Sequence, residues 1–413
     1  MINKLRNSLK SKDAKTLIGN FISLSSLQVV GLLLPLITLP YIIKTISLEK
    51  YGVIVFSLAL MVYFQAITDF SFRITATRDI AVFKNNIKKV SIIFSKVLII
   101  KAIFLFISFL LISLITIFYE PLQNESLVVI FTMLSLIGNT FFPEWFFQGI
   151  EKMKYITILN LTVKILFTLL VFILIKEKSD YWLYPLLLSA GSIIAGFVGI
   201  LIIVKRYKVR FYIIKKRYLI QTIRGNFPIF INQFFPTLYN NTSIFLLGVF
   251  AMPSTIGLYD ALKKIIDLSI VFLNTVSRVF FPFLNRRRDA FSNYKNLMLV
   301  LSILLFVMIT ILNKLVIWYL NIFDDNASFI LITLAFGIIG YALYDIYGLN
   351  YFIVRREDKL VMKNTIISSL VGFILSFPLV YFFGIVGAAI NLTLSRFFMG
   401  GYLYIKWLDY EKN

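Results

Sequence analysis

Long apolar stretches alternate with short loops in this chain, and every second loop is packed with Lys and Arg. Residues 205–224 carry Lys205, Arg206, Lys208, Arg210, Lys215, Lys216, Arg217 and Arg224. The loop before them, near Lys176–Asp180, is nearly neutral, and the loop after them, Ala251–Ile256, has no charge. Basic segments resist translocation, so the cytoplasmic loops of membrane proteins keep an excess of Lys and Arg. A chain with this pattern threads a bilayer many times, and its orientation can be read.

A spanning helix needs about 20 mostly apolar residues, and about twelve segments meet that need. They lie near 17–43, 51–72, 90–118, 127–147, 155–175, 181–204, 227–250, 257–283, 297–319, 327–352, 361–383 and 385–408. By this segmentation the inside regions hold about 30 of the 42 basic residues, against about four outside (Lys44, Lys50, Lys176, Lys178). An even number of spans places both termini in the cytoplasm, with no outside loop long enough to fold by itself. Lys4, Arg6, Lys10, Lys12 and Lys15 precede the first apolar run. That run is too long for a signal-peptide core and lacks an A-x-A cleavage pattern, so an uncleaved first helix is expected.

The composition agrees. A chain that is 59% hydrophobic over 413 residues has more apolar surface than a soluble fold covers. Its formal charge of +22 would point to nucleic acid in a soluble protein. Here it is the positive-inside signal, which also meets anionic headgroups at about 1 kcal/mol per basic residue. No nucleic-acid partner is expected. With no Cys and no His, thiol chemistry, His-based catalysis and His metal sites are excluded, and no cofactor is expected. No G-x-x-x-x-G-K-[ST] phosphate loop is present, and the scattered serines have no His to activate them.

The fold class read from this pattern is an all-α polytopic membrane protein of about 12 transmembrane helices in two six-helix lobes. The N-terminal lobe is 1–204, the basic cytoplasmic linker 205–226 and the C-terminal lobe 227–413. Six spans per half give both halves the same orientation, as in parallel repeats. Tyr51-Gly52-Val53-Ile54 after the first span is echoed by Ile256-Gly257-Leu258-Tyr259 after the seventh.

A Lys or Arg at a helix centre costs about 2.5–3.5 kcal/mol, and charges kept there face the bundle interior or a wet cavity. At 1.5 Å rise per residue, Lys101, Lys164 and Arg396 fall about 14–17 Å into their spans, with Lys96 shallower. A basic midplane suits an anionic group crossing the membrane; the competing reading is snorkelling, or pairing with a nearby carboxylate. Asp260, Lys263, Lys264 and Asp267 form two i,i+4 pairs in the eighth span. These neutralise one another or serve as an outer gate or ion-coupling site. Asp69, Glu144 and Asp345 lie near inner helix ends, with Asp69 and Arg73 also i,i+4. The seventh span is polar, with Asn232, Gln233, Asn240, Asn241 and Thr242, and Pro228 and Pro236 interrupt it. Gln28, Pro35 and Pro40 hold comparable places in the first span. Broken helices in matching positions of two halves point to a transport pathway.

Pro143-Glu144-Trp145-Phe146-Phe147-Gln148-Gly149-Ile150-Glu151-Lys152-Met153-Lys154-Tyr155 resembles the P-x-W-x-F-Q-G-x-E-K-M-K signature of Wzx-type O-antigen and polysaccharide repeat-unit flippases. These belong to the multidrug/oligosaccharidyl-lipid/polysaccharide exporter superfamily. Leu39-Pro40-Tyr41 with Tyr51-Gly52 resembles their first hairpin, and Asp69-Phe70-Ser71-Phe72 with Thr75-Ala76-Thr77-Arg78-Asp79-Ile80-Ala81 their G-F-N-x-x-A-T-x-x-I-A segment. Gly257-Leu258-Tyr259, Phe281-Pro282, Tyr347-Gly348-Leu349-Asn350 and Gly384-Ile385-Val386-Gly387-Ala388-Ala389 extend the likeness through the second half. Ser71 and Asn350 depart from the pattern, which often has Gly and Gln there.

The resemblance implies a MATE-like transporter of the bacterial inner membrane that moves undecaprenyl-pyrophosphate-linked oligosaccharide outward by alternating access. Its lobes would rock about a central cationic cleft. Lys101, Lys164 and Arg396 would attract the pyrophosphate, Arg78 would receive it at the inner mouth, and Asn232, Gln233, Asn240 and Asn241 would line the glycan path. Asp260, Lys264 and Asp267 would gate or couple ions. The expected partners are the lipid-linked oligosaccharide, the bilayer and other polysaccharide-assembly proteins. Two other readings stand beside it. A cation-coupled drug exporter of the same fold would favour an acidic cleft, and a membrane polysaccharide polymerase would carry a large outside loop.

Overall fold

A computed structural model describes residues 12–412. The basic residues Lys4, Arg6 and Lys10 lie outside the described residues. Every regular element among the described residues is helical. The main helices are α1 (Lys12–Asp69), α2 (Phe72–Phe83), α3 (Ile87–Phe118), α4 (Ser126–Phe141), α5 (Lys154–Leu174) and α6 (Leu183–Tyr207). They continue with α7 (Lys216–Phe250), α8 (Pro253–Arg286), α9 (Phe291–Ile311), α10 (Ala327–Leu343) and α11 (Asp358–Lys412). A π-helical turn, Tyr344–Phe352, extends α10.

Nine helical segments among the described residues are long and apolar enough to cross a membrane. Two of them fold in the middle. α1 turns at Ser47 (φ 73°), and α11 turns at Gly384 (φ 53°, ψ −129°). The Gly384 conformation is one that side-chain-bearing residues avoid. Each bend divides one long element into two spans. The polar α7, not among the nine, completes the expected set of about twelve. The chain is a multi-pass membrane protein.

The exterior is apolar, unlike that of a water-soluble fold, and hydroxyls join the apolar side chains inside. Large apolar side chains such as Phe106, Ile173, Phe197, Ile374 and Phe382 are exposed, while Ser95, Ser108, Thr132, Ser189, Ser302 and Ser376 are buried. With hydrocarbon outside, helices associate through small residues and hydroxyl contacts rather than by hiding leucines. The α4–α6 crossing shows this. Ser189 Oγ donates to Phe131 O at 2.5 Å, and Gly196 approaches so closely that a Cβ there would sit 3.0 Å from Gly138 O.

The chain forms two compact units. One contains 1–38, 63–176 and 182–231; the other contains 39–62, 177–181 and 232–413. The tip of the first hairpin, 39–62 around the Ser47 turn, thus belongs with the C-terminal helices, although it precedes the basic linker in sequence. That linker is only partly loop, because α7 begins at Lys216. Its extended part lies along α3: Arg210 N donates to Ser91 Oγ at 3.1 Å and Tyr212 N to Ser95 Oγ at 2.8 Å.

The interruption of the seventh span expected at Pro228 and Pro236 does not occur; α7 is helical from end to end. A proline's φ fits a helix, and its costs are one lost backbone bond and the crowding of its ring against the carbonyl four residues earlier. Membrane helices absorb that loss through neighbouring side chains and helices.

Candidate functional site

In the first unit Lys101 Nζ lies 3.1 Å from Asp69 Oδ1, with the lysine 2% and the aspartate 38% exposed. Asp69 ends α1, where Phe70 (φ 42°) and Ser71 (φ 61°) adopt left-handed conformations that swing the chain into α2. Glycine enters that region without steric cost, which accounts for the glycine that the resembled segment often carries at Ser71. The turn aims Asp69 at α3 rather than back along its own helix. The expected Asp69–Arg73 pair is therefore absent. Arg73 Nη2 instead meets Glu144 Oε1 at 3.3 Å, and Gln148 Nε2 donates to the same oxygen at 2.8 Å.

Glu144 and Gln148 belong to the short helix Glu144–Gly149, whose Trp145, Phe146 and Phe147 are fully buried. This helix packs on α2. Thr77 Oγ1 donates to Trp145 O at 3.1 Å, and a Cβ on Gly149 would fall 2.6 Å from Ile80 Cγ2. The two most distinctive motifs of the first half thus form one packed elbow, closed by Lys84–Glu151 at 3.4 Å.

Lys164 stands apart from these pairs. Its half-buried ammonium lies against the Gly31 backbone, where any Cβ would collide with Nζ. Among the described residues it has no ion-pair or hydrogen-bond partner. It sits about 15 Å into α5.

In the second unit Arg396, 5% exposed, reaches Asp267 Oδ1 with Nη2 at 3.6 Å, while its Nη1 is buried without a partner. Asp267 also accepts from Lys263 Nζ at 2.7 Å, so two cations share one carboxylate. One turn earlier, Lys264 Nζ meets Asp260 Oδ2 at 2.7 Å. Both expected i,i+4 pairs of this helix are present. Tyr51 adds a contact that sequence reasoning missed: its hydroxyl donates to Asp260 Oδ2 at 2.5 Å and receives Lys264 Nζ. The echoed Tyr-Gly motifs hold a signal for it, because they face each other. A Cβ on Gly52 would strike Pro253 O, and one on Gly257 would lie 3.2 Å from Gly52 N.

The amides of α7 are divided. Asn240 Nδ2 donates to Pro236 O and Asn241 Nδ2 to Thr237 O, each at 3.0 Å, so both fold back on their own helix. Asn232 is half-buried and Gln233 exposed. Arg78 is 68% exposed, with Nε 3.6 Å from Asp79 Oδ1. Lys101 and Arg396 are thus buried and carboxylate-paired, Lys164 is half-buried and unpaired among the described residues, and Arg78 is exposed. No group of His, Cys, Asp and Glu among the described residues has the arrangement of a metal site.

Known proteins bear on this architecture. Two curated relatives carry the name "Putative O-antigen transporter". One, from Escherichia coli (strain K12), is 28% identical over 388 residues, covering 91% of this chain and 93% of the relative. The other, from Shigella dysenteriae, is 23% identical over 380 residues, covering 88% and 93%. Among solved structures, the lipid II flippase MurJ in an inward closed conformation superposes with TM-score 0.73 at 16% identity, covering 94% of this chain and 87% of MurJ. An inward-facing multidrug resistance MATE transporter of the MOP superfamily gives 0.66 at 13% identity, covering 90% and 96%. Those identities speak for the fold, and the MATE-like, all-α expectation is met. The polysaccharide biosynthesis protein family matches residues 17–288, well over half of the sequence, and the chain belongs to that family.

Proposed function

We propose that this protein is a flippase that carries undecaprenyl-pyrophosphate-linked oligosaccharide, the repeat unit of an O-antigen or related surface polymer, from the inner to the outer leaflet. It works by alternating access in the bacterial inner membrane, with both termini in the cytoplasm. The names of the curated relatives and the MurJ-like fold support this reading.

The observation that carries it is Lys164. An uncompensated cation at a helix centre costs about 2.5–3.5 kcal/mol, which makes it a functional position by default. An anion carried by the cargo compensates it when bound. Lys101 of the first unit and Arg396 of the second stand beside carboxylates, and Asp267 serves two cations, so its cluster keeps a net positive charge. Arg78 collects the headgroup at the membrane surface, and Asn232 and Gln233 offer amides to sugar hydroxyls. An inside-negative potential favours outward movement of the anion by about 2.3 kcal/mol per charge per 100 mV. Asp260, Lys264 and Asp267 act as the gate that the alternating cycle requires.

The test uses a host lacking its own flippase but making the cognate lipid-linked repeat unit. The wild-type chain restores surface polysaccharide; its loss leaves single lipid-linked units on the cytoplasmic side. Lys164→Ala, inserted at normal levels, is expected to abolish display and Lys164→Arg to retain part of it. Wild-type display by Lys164→Ala rejects this assignment.

A further inference from the structure

The second unit contains a buried carboxyl that none of these steps uses. Asp345, in the π-helical turn, is 0% exposed. Extra residues in a helical turn of this kind recur at functional sites. Tyr294 Oη donates to Asp345 Oδ2 at 2.5 Å, and Asn350 Nδ2 lies 3.2 Å from the same oxygen. The other oxygen, Oδ1, is buried with no partner, and so is Asn350 Oδ1. Asn350 Nδ2 is also 2.8 Å from both Ser277 Oγ and Tyr294 Oη and 3.1 Å from Asp345 O. Its two hydrogens are thus shared among four oxygens. Acceptors outnumber donors throughout the cluster.

The elements packed on this turn bring no cation that pairs with Asp345 among the described residues; Lys295 of α9, next to Tyr294, lies over the Trp407 ring, 4.7 Å from its centroid. α8 supplies Ser277 and Asn274, whose Oδ1 accepts from Tyr341 of α10 at 2.6 Å. α9 supplies Tyr294, and α11 supplies Leu403, Tyr404 and Trp407 to the far side of the turn. Arg355, the cation that follows the turn, is engaged on the Tyr351 ring, 3.5 Å from its centroid. Among the described residues no Lys or Arg forms an ion pair with Asp345. A buried ionised carboxylate without a cation is strongly disfavoured. A shortage of hydrogens around it is relieved by one more proton.

We propose that Asp345 is a proton-binding site, occupied and vacated during the working cycle. A proton from water adds to Oδ1 and turns the orphan acceptor into a donor. Its departure leaves a carboxylate held by Tyr294 and Asn350. Because the cluster joins α8, α9 and α10, its protonation state changes which hydrogen bonds tie those helices together. The coupling of this proton to transport rests on the flippase reading; the site itself does not.

The experiment is pH-difference infrared spectroscopy on the purified full-length protein in lipid nanodiscs. Wild type is expected to show the C=O stretch of a protonated carboxyl that grows on acidification. Asp345→Asn, of unchanged helical content, is expected to lack that band, and Asp267→Asn to keep it. A spectrum unaltered by Asp345→Asn overturns the proposal. If Asp345→Asn does not fold, Tyr294→Phe decides: it keeps the carboxyl but removes its closest donor, so the band's midpoint must move to higher pH. An unmoved midpoint overturns the site, as does one set by sodium concentration rather than pH. Wild-type transport by Lys164→Ala, with the Asp345 band intact, would reject the cargo assignment and leave the proton site standing.

Discussion

The Tyr51 hydroxyl donates to Asp260 Oδ2 at 2.5 Å across 209 positions of sequence. It ties the first hairpin to α8 and takes part in the Asp260–Lys264 pair rather than merely packing beside it. Tyr51 is itself buried, at 1% exposure. Hydrogen bonds to charged groups contribute about 1.5–3 kcal/mol. Tyr51→Phe keeps the ring and loses this bond. It is expected to lower the unfolding temperature of the purified protein, while Tyr51→Phe combined with Asp260→Asn loses little more than either alone. Additive losses would show that the two residues do not act together.

Lys101 and Asp69 give a second coupled pair. Removing one member of a buried ion pair costs about 3–5 kcal/mol, because the other charge is stranded. Lys101 is the deeply buried partner, so Asp69→Asn is expected to destabilise more than Lys101→Met. The double variant Lys101→Met/Asp69→Asn should recover much of the loss. Thermal unfolding of the four proteins closes the cycle, and an unrecovered double variant would assign the stability to shape rather than charge.

The Gly52–Gly257 crossing tolerates no side chain. A Cβ at Gly52 meets the Pro253 carbonyl, and one at Gly257 lies 2.5 Å from Leu48 O. Backbone cannot step aside as a side chain does, and overpacking of this kind costs about 1–3 kcal/mol. Gly52→Ala and Gly257→Ala are both expected to reduce the yield of folded protein, whereas Gly225→Ala and Gly401→Ala, where a Cβ meets nothing within 4 Å, are not.

Orientation has a direct assay because the chain has no Cys. Single cysteines introduced as Ser179→Cys and Lys208→Cys fall in a nearly neutral and a basic loop. A membrane-impermeant maleimide added to intact spheroplasts is expected to label the first and not the second. The reverse pattern would invert the topology.

Much of this was legible before any coordinates. Spans announce themselves because lipid demands about 20 apolar residues in a row, and the i,i+4 pairs of α8 follow from helix geometry alone. What stayed hidden were partners chosen across helices. Asp69 turns to Lys101 because Phe70 and Ser71 take left-handed conformations, which no periodicity reveals. Asn240 and Asn241 read as free amides on a helical wheel, yet each gives an N–H to its own backbone. Pro228 and Pro236 read as breaks because the sequence does not show what surrounds them.

Lys164 owes its position to a residue with no side chain. Gly31 leaves room for the ammonium, and a methyl there would sit 2.4 Å from Nζ, so the flexible end of the lysine would have to shift. The charge is thus carried by α5 and the room for it is left by α1, and the two properties come apart. Gly31→Ala keeps the positive charge and moves it; Lys164→Ala keeps the niche and empties it. The charge and the room it occupies are encoded at separate addresses in the gene.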